Sequence, residues 1–387
     1  MKKIYVPAIY IAKDKIKTKE EKKRLNRFLK KISSEEILFL EDKHIKELIN
    51  SKELYSRIER TGQKRKNNPS IIFSTFDWDD ERNNPKGDKK FNEFIPGRFS
   101  FTDFRNKKQL KEERGVVCNS GYEIHTAFGC FHSCSYCHIG NAFTIMLDIE
   151  KFIEKLGVLI KHNPWQKLYK YDNQSDILTL EPEYGATKKL VEFFSKTDKY
   201  IMLYSKSDNV DHLLNLDHKG RTIACWTISC NDVVEKFEHG APSLEERLRA
   251  AKKCHKAGYN LRVRFSPIIP VKNWEEKNAQ MIEKVFSAIN PEVVSLETLC
   301  HMTKKQSDEI FTDLEYKPQR NVSEYELFSQ EERSKMYKFF IKEIRKYNKD
   351  AKLSLCLETK QMWDEIGPLL SNGDINNFFC CCGAKCV

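Results

Sequence analysis

From about residue 120 the chain alternates short apolar runs with amphipathic stretches, and three cysteines fall in the first loop of that alternation. Such alternation predicts βα units and a sheet of parallel strands. GYEIHTAF reads as the first strand, and GCFHSCSYCHIG follows it with Cys130, Cys134 and Cys137 spaced C-x3-C-x2-C. Thiolates are the ligands of iron–sulfur clusters, and a [4Fe–4S] cube has four irons to hold. Three thiolates leave the fourth iron open, able to chelate a small molecule and pass it an electron. The competing reading is a zinc knuckle with His132 or His138 as the fourth ligand.

The rest of the composition narrows the setting. At 387 residues the chain can hold one large domain or two ordinary ones, and 40% apolar residues supply a core. No apolar run approaches the roughly 18 residues of a membrane span. The start, MKKIYVPAIYIAKDK, is broken by Pro7 and Lys13 and lacks a cleavage site, so it does not read as a signal peptide. Thirteen cysteines without a leader predict a cytoplasmic, reducing setting and metal ligation rather than disulfides. The net charge of +11 favours phosphate-bearing partners, either nucleic acid or a phosphorylated small molecule. The lysines are spread through helices, as on a solvated surface, so charge alone does not separate the two.

Three sections are expected. Residues 1–115 form a basic α+β section. In it KIYVPAIYI is a strand, and KEEKKRLNRFLKKI and SEEILFLEDKHIKELIN are helices, the second capped by Ser34. Residues 60–105 are loop-like. Residues 116–303 hold the βα units, with strands expected at ILTLE (177–181), KYIMLYSKS, RTIACWTISC, NLRVRFSPI and VVSLETL. The helix SLEERLRAAKKCHKAG should end at Gly258. Residues 304–387 add a long helix near 330–347, a short strand LSLCLE, a further helix and the ending FFCCCGAKCV.

Strand ends carry the candidate chemistry, because catalytic groups of barrels sit at the C-terminal ends of strands. The second strand would end at Glu181 and Glu183, the third at Ser205 and Lys206, the fourth at Thr227 and Ser229. Alternation puts Arg262 and Arg264 on one face of the fifth strand, with Ser266 continuing it. Their partner is either a substrate phosphate or carboxylate, or a structural ion pair with Glu297 or Glu181. Glu297 and His301 complete the ring. Cys380, Cys381, Cys382 and Cys386 are candidates for zinc or a second cluster, with Cys356 or Cys118, or for thiol donors at the mouth. Three of the four tail cysteines, Cys380, Cys382 and Cys386, fit one metal most easily. Cys225, Cys230, Cys254 and Cys300 read as core residues.

The cysteine run and its place after a first strand resemble the radical S-adenosylmethionine (SAM) enzymes. That resemblance implies a partial (βα)6 TIM-like barrel with a Cys-rich C-terminal extension, a [4Fe–4S] cluster on Cys130, Cys134 and Cys137, and SAM. It further implies a flavodoxin or ferredoxin as reductant. Its SAM contacts would be Glu181 or Glu183 at the amino group, Lys206 with Ser205 at the carboxylate, and Thr227 or Ser229 at the ribose, with Tyr136 beside the cluster. The stretch YSKSDNVDHLLNLDHKGRTIACWTISCNDVVEKFEHG, followed by SLEERLRAAKKCHKAGY, resembles the spore photoproduct lyase family, which repairs a thymine dimer in DNA. In that family a cysteine just after strand two returns a hydrogen to the product, and tyrosines flank the last cluster cysteine. Here LEPEYGAT holds no cysteine, Tyr184 falls about at its place, and His138 follows Cys137. The chain thus resembles a relative with another substrate, the bacterial queuine lyases, which release queuine from queuosine 5′-phosphate. That implies hydrogen abstraction from the sugar and loss of the base. Arg262, Arg264 or a front-section lysine would hold the phosphate, and Glu181 or Asp232 the amine-bearing base. DNA photoproduct repair and a non-catalytic iron–sulfur or zinc protein that binds nucleic acid are the alternatives.

Overall fold

The computed structural model describes residues 3–50, 70–79, 101–103, 122–137, 139, 143–319 and 327–370. Among these, two sheets share one continuous apolar core that runs from Val6 and Phe73 to Leu296 and Leu355. The strands in chain order are β1 (Ile4–Ala12), β2 (Ile32–Leu40), β3 (Ile71–Ser74), β4 (Phe101–Asp103), β5 (Tyr122–Ile124), β6 (Ala127–Phe128) and β7 (Phe143–Met146). They continue with β8 (Leu168–Tyr171), β9 (Tyr200–Ser205), β10 (Thr222–Thr227), β11 (Asn260–Ile268), β12 (Val293–Thr298) and β13 (Lys352–Leu355). The first sheet has the order β2-β1-β3-β7-β6, and the second β13-β12-β11-β10-β9-β8-β5-β4. In the second sheet all neighbours from β5 to β13 run parallel, and only the edge strand β4 is antiparallel. This is the partial barrel expected from the alternation, with β13 joining as a seventh parallel strand from beyond residue 303.

Helices close the outer face. Those needed below are α1 (Lys19–Leu29), α2 (Asp42–Asn50), α3 (Ile149–His162), α4 (Ala186–Phe194), α5 (Asn231–Phe237), α6 (Leu244–Lys256) and α7 (Trp274–Ala288). Local chemistry fixes their ends. Thr18 with Glu21 and Ser243 with Glu246 form reciprocal capping boxes at α1 and α6. Gly258 follows the end of α6 at φ 88, the left-handed conformation a glycine adopts without a Cβ clash.

Four expectations fail. GYEIHTAF is not one strand but divides between β5 of the second sheet and β6 of the first. Residues 71–74, inside the stretch expected as loop, form β3 in the middle of the first sheet. Residues 34–50 are not one helix. β2 pairs in parallel with β1 over Ile4↔Ile32 to Ala12↔Leu40, and only then does α2 begin, so Ser34 caps nothing. β2 is an edge strand with Ile37 and Phe39 exposed, so its sequence lacks a clean buried face to reveal a period of two. The second barrel strand is LYKY, and Ile177–Leu180 is a 3-10 turn after it. LYKY pairs with both β5 and β9, and that pairing outweighs its short length and buried lysine.

The two sheets are tied through buried polar side chains. The Tyr184 hydroxyl lies 2.8 Å from the Thr126 carbonyl oxygen and 2.7 Å from that of Met146. Arg24 on α1 is buried. It donates to the carbonyls of Tyr184 and Leu147 and pairs with Glu150 on α3 at 2.9 Å. Asp148, just before α3, accepts from Phe76 N at 3.2 Å and Trp78 Nε1 at 2.6 Å. Burial pushes its carboxyl up to about 7 despite these bonds.

Candidate active site

The cysteine loop leaves β6, the edge of the first sheet, and returns through β7. Between them it is clamped against the segment after α5. Cys134 forms an antiparallel bridge with Glu238. Ser135 N donates to Phe237 O at 2.8 Å, and Gly240 N to His132 O at 2.8 Å. Gly240 is required there: a Cβ would stand 2.4 Å from Phe131 O. Cys134 is buried, and Cys130 and Cys137 are half-buried.

Behind the loop stand two buried carboxylates. Glu238 accepts from Ser229 Oγ at 2.9 Å, from Tyr136 Oη and from the buried guanidinium of Arg247, and Lys206 Nζ lies 3.9 Å away. Burial favours its neutral acid, but Arg247 and Lys206 outweigh burial and hold it down at about 2. Asp176 accepts from Ser205 Oγ at 2.7 Å, Lys206 N at 2.7 Å and His132 Nε2 at 2.8 Å. Burial raises its carboxyl, and His132 with these hydrogen bonds brings it below the ordinary value. Lys206 also lies over the Tyr136 ring at 5.6 Å. Tyr136, Ser205, Lys206 and Ser229, all expected from the sequence, thus converge on one network. Its centres, Glu238 and Asp176, carry no sequence signal, nor does Arg247, and His132, a candidate zinc ligand by sequence, is instead a partner of Asp176. Glu238 falls in VVEKFEHG, and Asp176 follows β8, whose short run LYKY does not read as a strand.

The donor set fits an iron–sulfur cluster. Burial pushes the Cys134 thiol up to about 12, with Lys206 pulling the other way, so a bound metal is needed to hold it as thiolate. The three thiols are close enough for Cys134 and Cys137 to raise Cys130 after burial and Asp176. The zinc reading needs a fourth ligand, and both ring nitrogens of His132 are engaged, by Asp176 and by Gly240 O at 3.1 Å. His138 lies outside the described residues. At or just past the ends of β8 and β10, Thr227 Oγ1, Ser175 Oγ and Asp172 Oδ2 are buried without a partner. A polar cofactor would satisfy them.

Across the mouth runs a second set of charges. Lys170 on β8 donates to Glu123 on β5 at 2.9 Å, and Asn173 Nδ2 reaches the same carboxylate at 2.9 Å. His125 Nδ1 lies 2.6 Å from Asp172. Lys170 and Arg264 both lie against the Tyr204 ring, at 5.1 and 4.8 Å. Arg264 pairs with Glu297, which also accepts from Ser266 Oγ. The ion-pair alternative for Arg264 is therefore the one observed.

Other expected residues stand elsewhere. Glu181 caps α4, accepting from Gly185 N at 2.7 Å and from Thr187 N and Oγ1 at 2.8 and 2.6 Å, and it does not end a strand. Glu183 faces Lys31 of the N-terminal section at 3.6 Å. Arg262 is buried 3.5 Å from Glu292, at the N-terminal end of β12 and away from the mouth. Asp232 is bound by Lys277 of α7 at 2.5 Å, on the outer helical layer. Neither Asp172–Asp176, just after the second strand, nor LEPEYGAT with Tyr184 holds a cysteine. Cys118, Cys380, Cys381, Cys382 and Cys386 lie outside the described residues. Cys225, Cys230, Cys254 and Cys300 are all buried, as expected of core residues.

A cysteine loop over a partial parallel barrel, backed by a carboxylate–lysine network, defines a radical SAM protein. More narrowly, residues 88–375 match the family model for spore photoproduct lyase, and the chain belongs to that family. It is similar to spore photoproduct lyase of Bacillus subtilis, 26% identical over 236 residues, which cover 56% of this chain and 69% of that one. The enzyme of the same name from a Geobacillus species is 27% identical over 213 residues, covering 49% and 61%. Among solved structures, spore photoproduct lyase complexed with dinucleoside spore photoproduct superposes with TM-score 0.64 at 18% identity, over 91% of this chain and 99% of that one. A mutant with bound AdoMet and dinucleoside spore photoproduct gives 0.63 at 17%, over 92% and 99%. These two likenesses establish the fold. The family makes the chain a radical SAM lyase, with a [4Fe–4S] cluster and SAM as its cofactors. Among the described residues no helix is long and apolar enough to cross a membrane.

Proposed function

We propose that the chain fragments a modified nucleotide and releases its base, with queuosine 5′-phosphate as the substrate and queuine as the product. The observation that carries this reading is the stretch after β8. Neither this stretch nor LEPEYGAT, where the resemblance places a hydrogen-returning cysteine, holds a thiol, and Asp172–Asp176 offers carboxylates and amides instead. Buried Asp172 of this stretch is paired with His125, and Glu123, which Asn173 of the stretch reaches, is paired with Lys170. Buried carboxylates suit an amine-bearing base, because a charge-assisted hydrogen bond is strongest away from water.

A bound cluster with SAM would supply the radical chemistry that removes a hydrogen atom from the substrate. Cys130, Cys134 and Cys137 hold the cluster. Lys206 offers a half-buried ammonium beside Cys134 for the SAM carboxylate, and Thr227 a free buried hydroxyl for the ribose. Ser205, Ser229 and Tyr136 position these groups through Asp176 and Glu238. Arg264 is the phosphate ligand, exchanging part of its bond to Glu297 for the substrate. Glu181, Glu183, Arg262 and Asp232 are withdrawn from these roles by their structural partners. A cytoplasmic setting with a small iron–sulfur or flavin protein as reductant completes the reading.

Repair of a DNA photoproduct is the second reading, favoured by the dinucleoside bound in the similar structures. A non-catalytic binding protein is set aside by the family. Reduced protein with SAM separates the remaining two. Equal amounts of 5′-deoxyadenosine and free base from queuosine 5′-phosphate support release of a base. Formation of 5′-deoxyadenosine that ignores the nucleotide contradicts it.

A further inference from the structure

Past the end of β12, two donor atoms that the chemistry above does not use meet the Glu297 carboxylate that pairs with Arg264. Glu297 lies near the end of β12, and Cys300 and His301 follow in the next loop. A Glu297 carboxylate oxygen, Cys300 Sγ and a ring nitrogen of His301 all lie within 4.8 Å of one another. A tetrahedral zinc with ligands at about 2.0–2.3 Å sets neighbouring donors about 3.3–3.8 Å apart. Cys300 Sγ is already 3.5 Å from Glu297 Oε1. Side-chain adjustments of about 1 Å therefore close the triangle.

The surroundings orient the carboxylate for this task. Glu297 Oε2 accepts from Arg264 and from Ser266 Oγ, which leaves Oε1 on the side of Cys300. Outer hydrogen bonds of this kind fix a ligating carboxylate. Cys300 and Glu297 are buried and His301 is half-buried. His301 takes φ 64, a left-handed conformation that non-glycine residues adopt uncommonly and that sets where its ring points.

We infer that Glu297, Cys300 and His301 bind a zinc-class divalent ion, separate from the cluster site. Sulfur, nitrogen and oxygen donors together suit zinc. Three protein ligands leave a fourth position for water or an oxygen of a bound nucleotide, as zinc sites with an open position do. Binding takes the proton from Cys300 and releases it to solvent.

The test uses full-length, cluster-loaded protein, titrated anaerobically with cobalt(II) as a coloured stand-in for zinc. One cobalt per chain is expected, with thiolate-to-cobalt charge transfer in the near ultraviolet, removed by added zinc and without loss of cluster iron. Cys300→Ser abolishes the charge-transfer band. His301→Ala weakens binding by about 100-fold or more, beyond the roughly 10–100-fold typical of an outer hydrogen bond. Replacing Cys380, Cys381, Cys382 and Cys386 with serine leaves the band in place. No cobalt beyond background, a band that survives Cys300→Ser, or a band lost with the tail cysteines overturns the proposal. If Cys300→Ser does not fold, the half-buried His301→Ala decides: unchanged affinity there rejects the site.

Discussion

The two sides of the barrel mouth use the same residue types differently. Behind the cysteine loop, Glu238 and Asp176 are each saturated by several fixed donors, and backbone bonds from two segments, Phe237–Gly240 and Gln174, hold the loop against them. Opposite, Glu123, Lys170, Arg264 and Glu297 form pairs strung across strands around one tyrosine ring. The first arrangement costs much to disturb, because an unpaired buried charge has no compensation. The second can trade one partner for a ligand group. The lesson is that the half behind the cysteine loop is prebuilt, while the opposite half has partners it can exchange.

The harshest way to break the comparison is to remove a cluster ligand. Cys134→Ala should abolish both iron–sulfur absorbance and SAM cleavage under dithionite; retained cleavage would move the cluster elsewhere. Next, Glu238→Gln leaves Arg247 and Lys206 facing a neutral amide. Breaking a buried pair costs about 3–5 kcal/mol, to be read from urea unfolding, with iron content falling in step. A loss under about 1 kcal/mol would mean that the network is decorative. Arg264→Lys sharpens the contrast from the other side. It keeps a charge but loses the planar fork, so KM for the nucleotide should rise by about 10-fold or more, while SAM cleavage without substrate stays near wild type. Equal losses in both would erase the distinction between the halves.

A last effect, on stability alone, lies away from the mouth. Burial raises the Asp148 carboxyl from 3.8 to about 7, so the folded state holds a proton that the unfolded chain has released. Stability should therefore fall as pH rises from about 4 to about 7, by at most about 4 kcal/mol. Asp148→Asn flattens that slope without changing the pH dependence of SAM cleavage. A slope unchanged by the substitution would assign it to another group.

Much of the scaffold was legible because local rules and tertiary demands agreed. The capping box at Ser243, the glycine after α6 and the apolar strands β10 and β12 announce themselves. So does the cysteine spacing. LYKY did not, because a buried Lys170 looks polar until Glu123, 47 residues earlier in the chain, is set beside it. The error propagated: placing the strand at ILTLE put Glu181 at the mouth, where the structure uses it to cap a helix. Glu238 was equally hidden. Its partners Tyr136 and Arg247 stand 102 and 9 residues away, and no local pattern marks a carboxylate that both will need.

The most direct test of the account is mass spectrometry on anaerobic, reduced, cluster-loaded protein given SAM with either queuosine 5′-phosphate or ultraviolet-irradiated DNA. Queuine appearing in step with 5′-deoxyadenosine, and no thymine restored to the DNA, is the predicted result. Restored thymine with intact queuosine 5′-phosphate would contradict it and return the substrate half to the family's own chemistry.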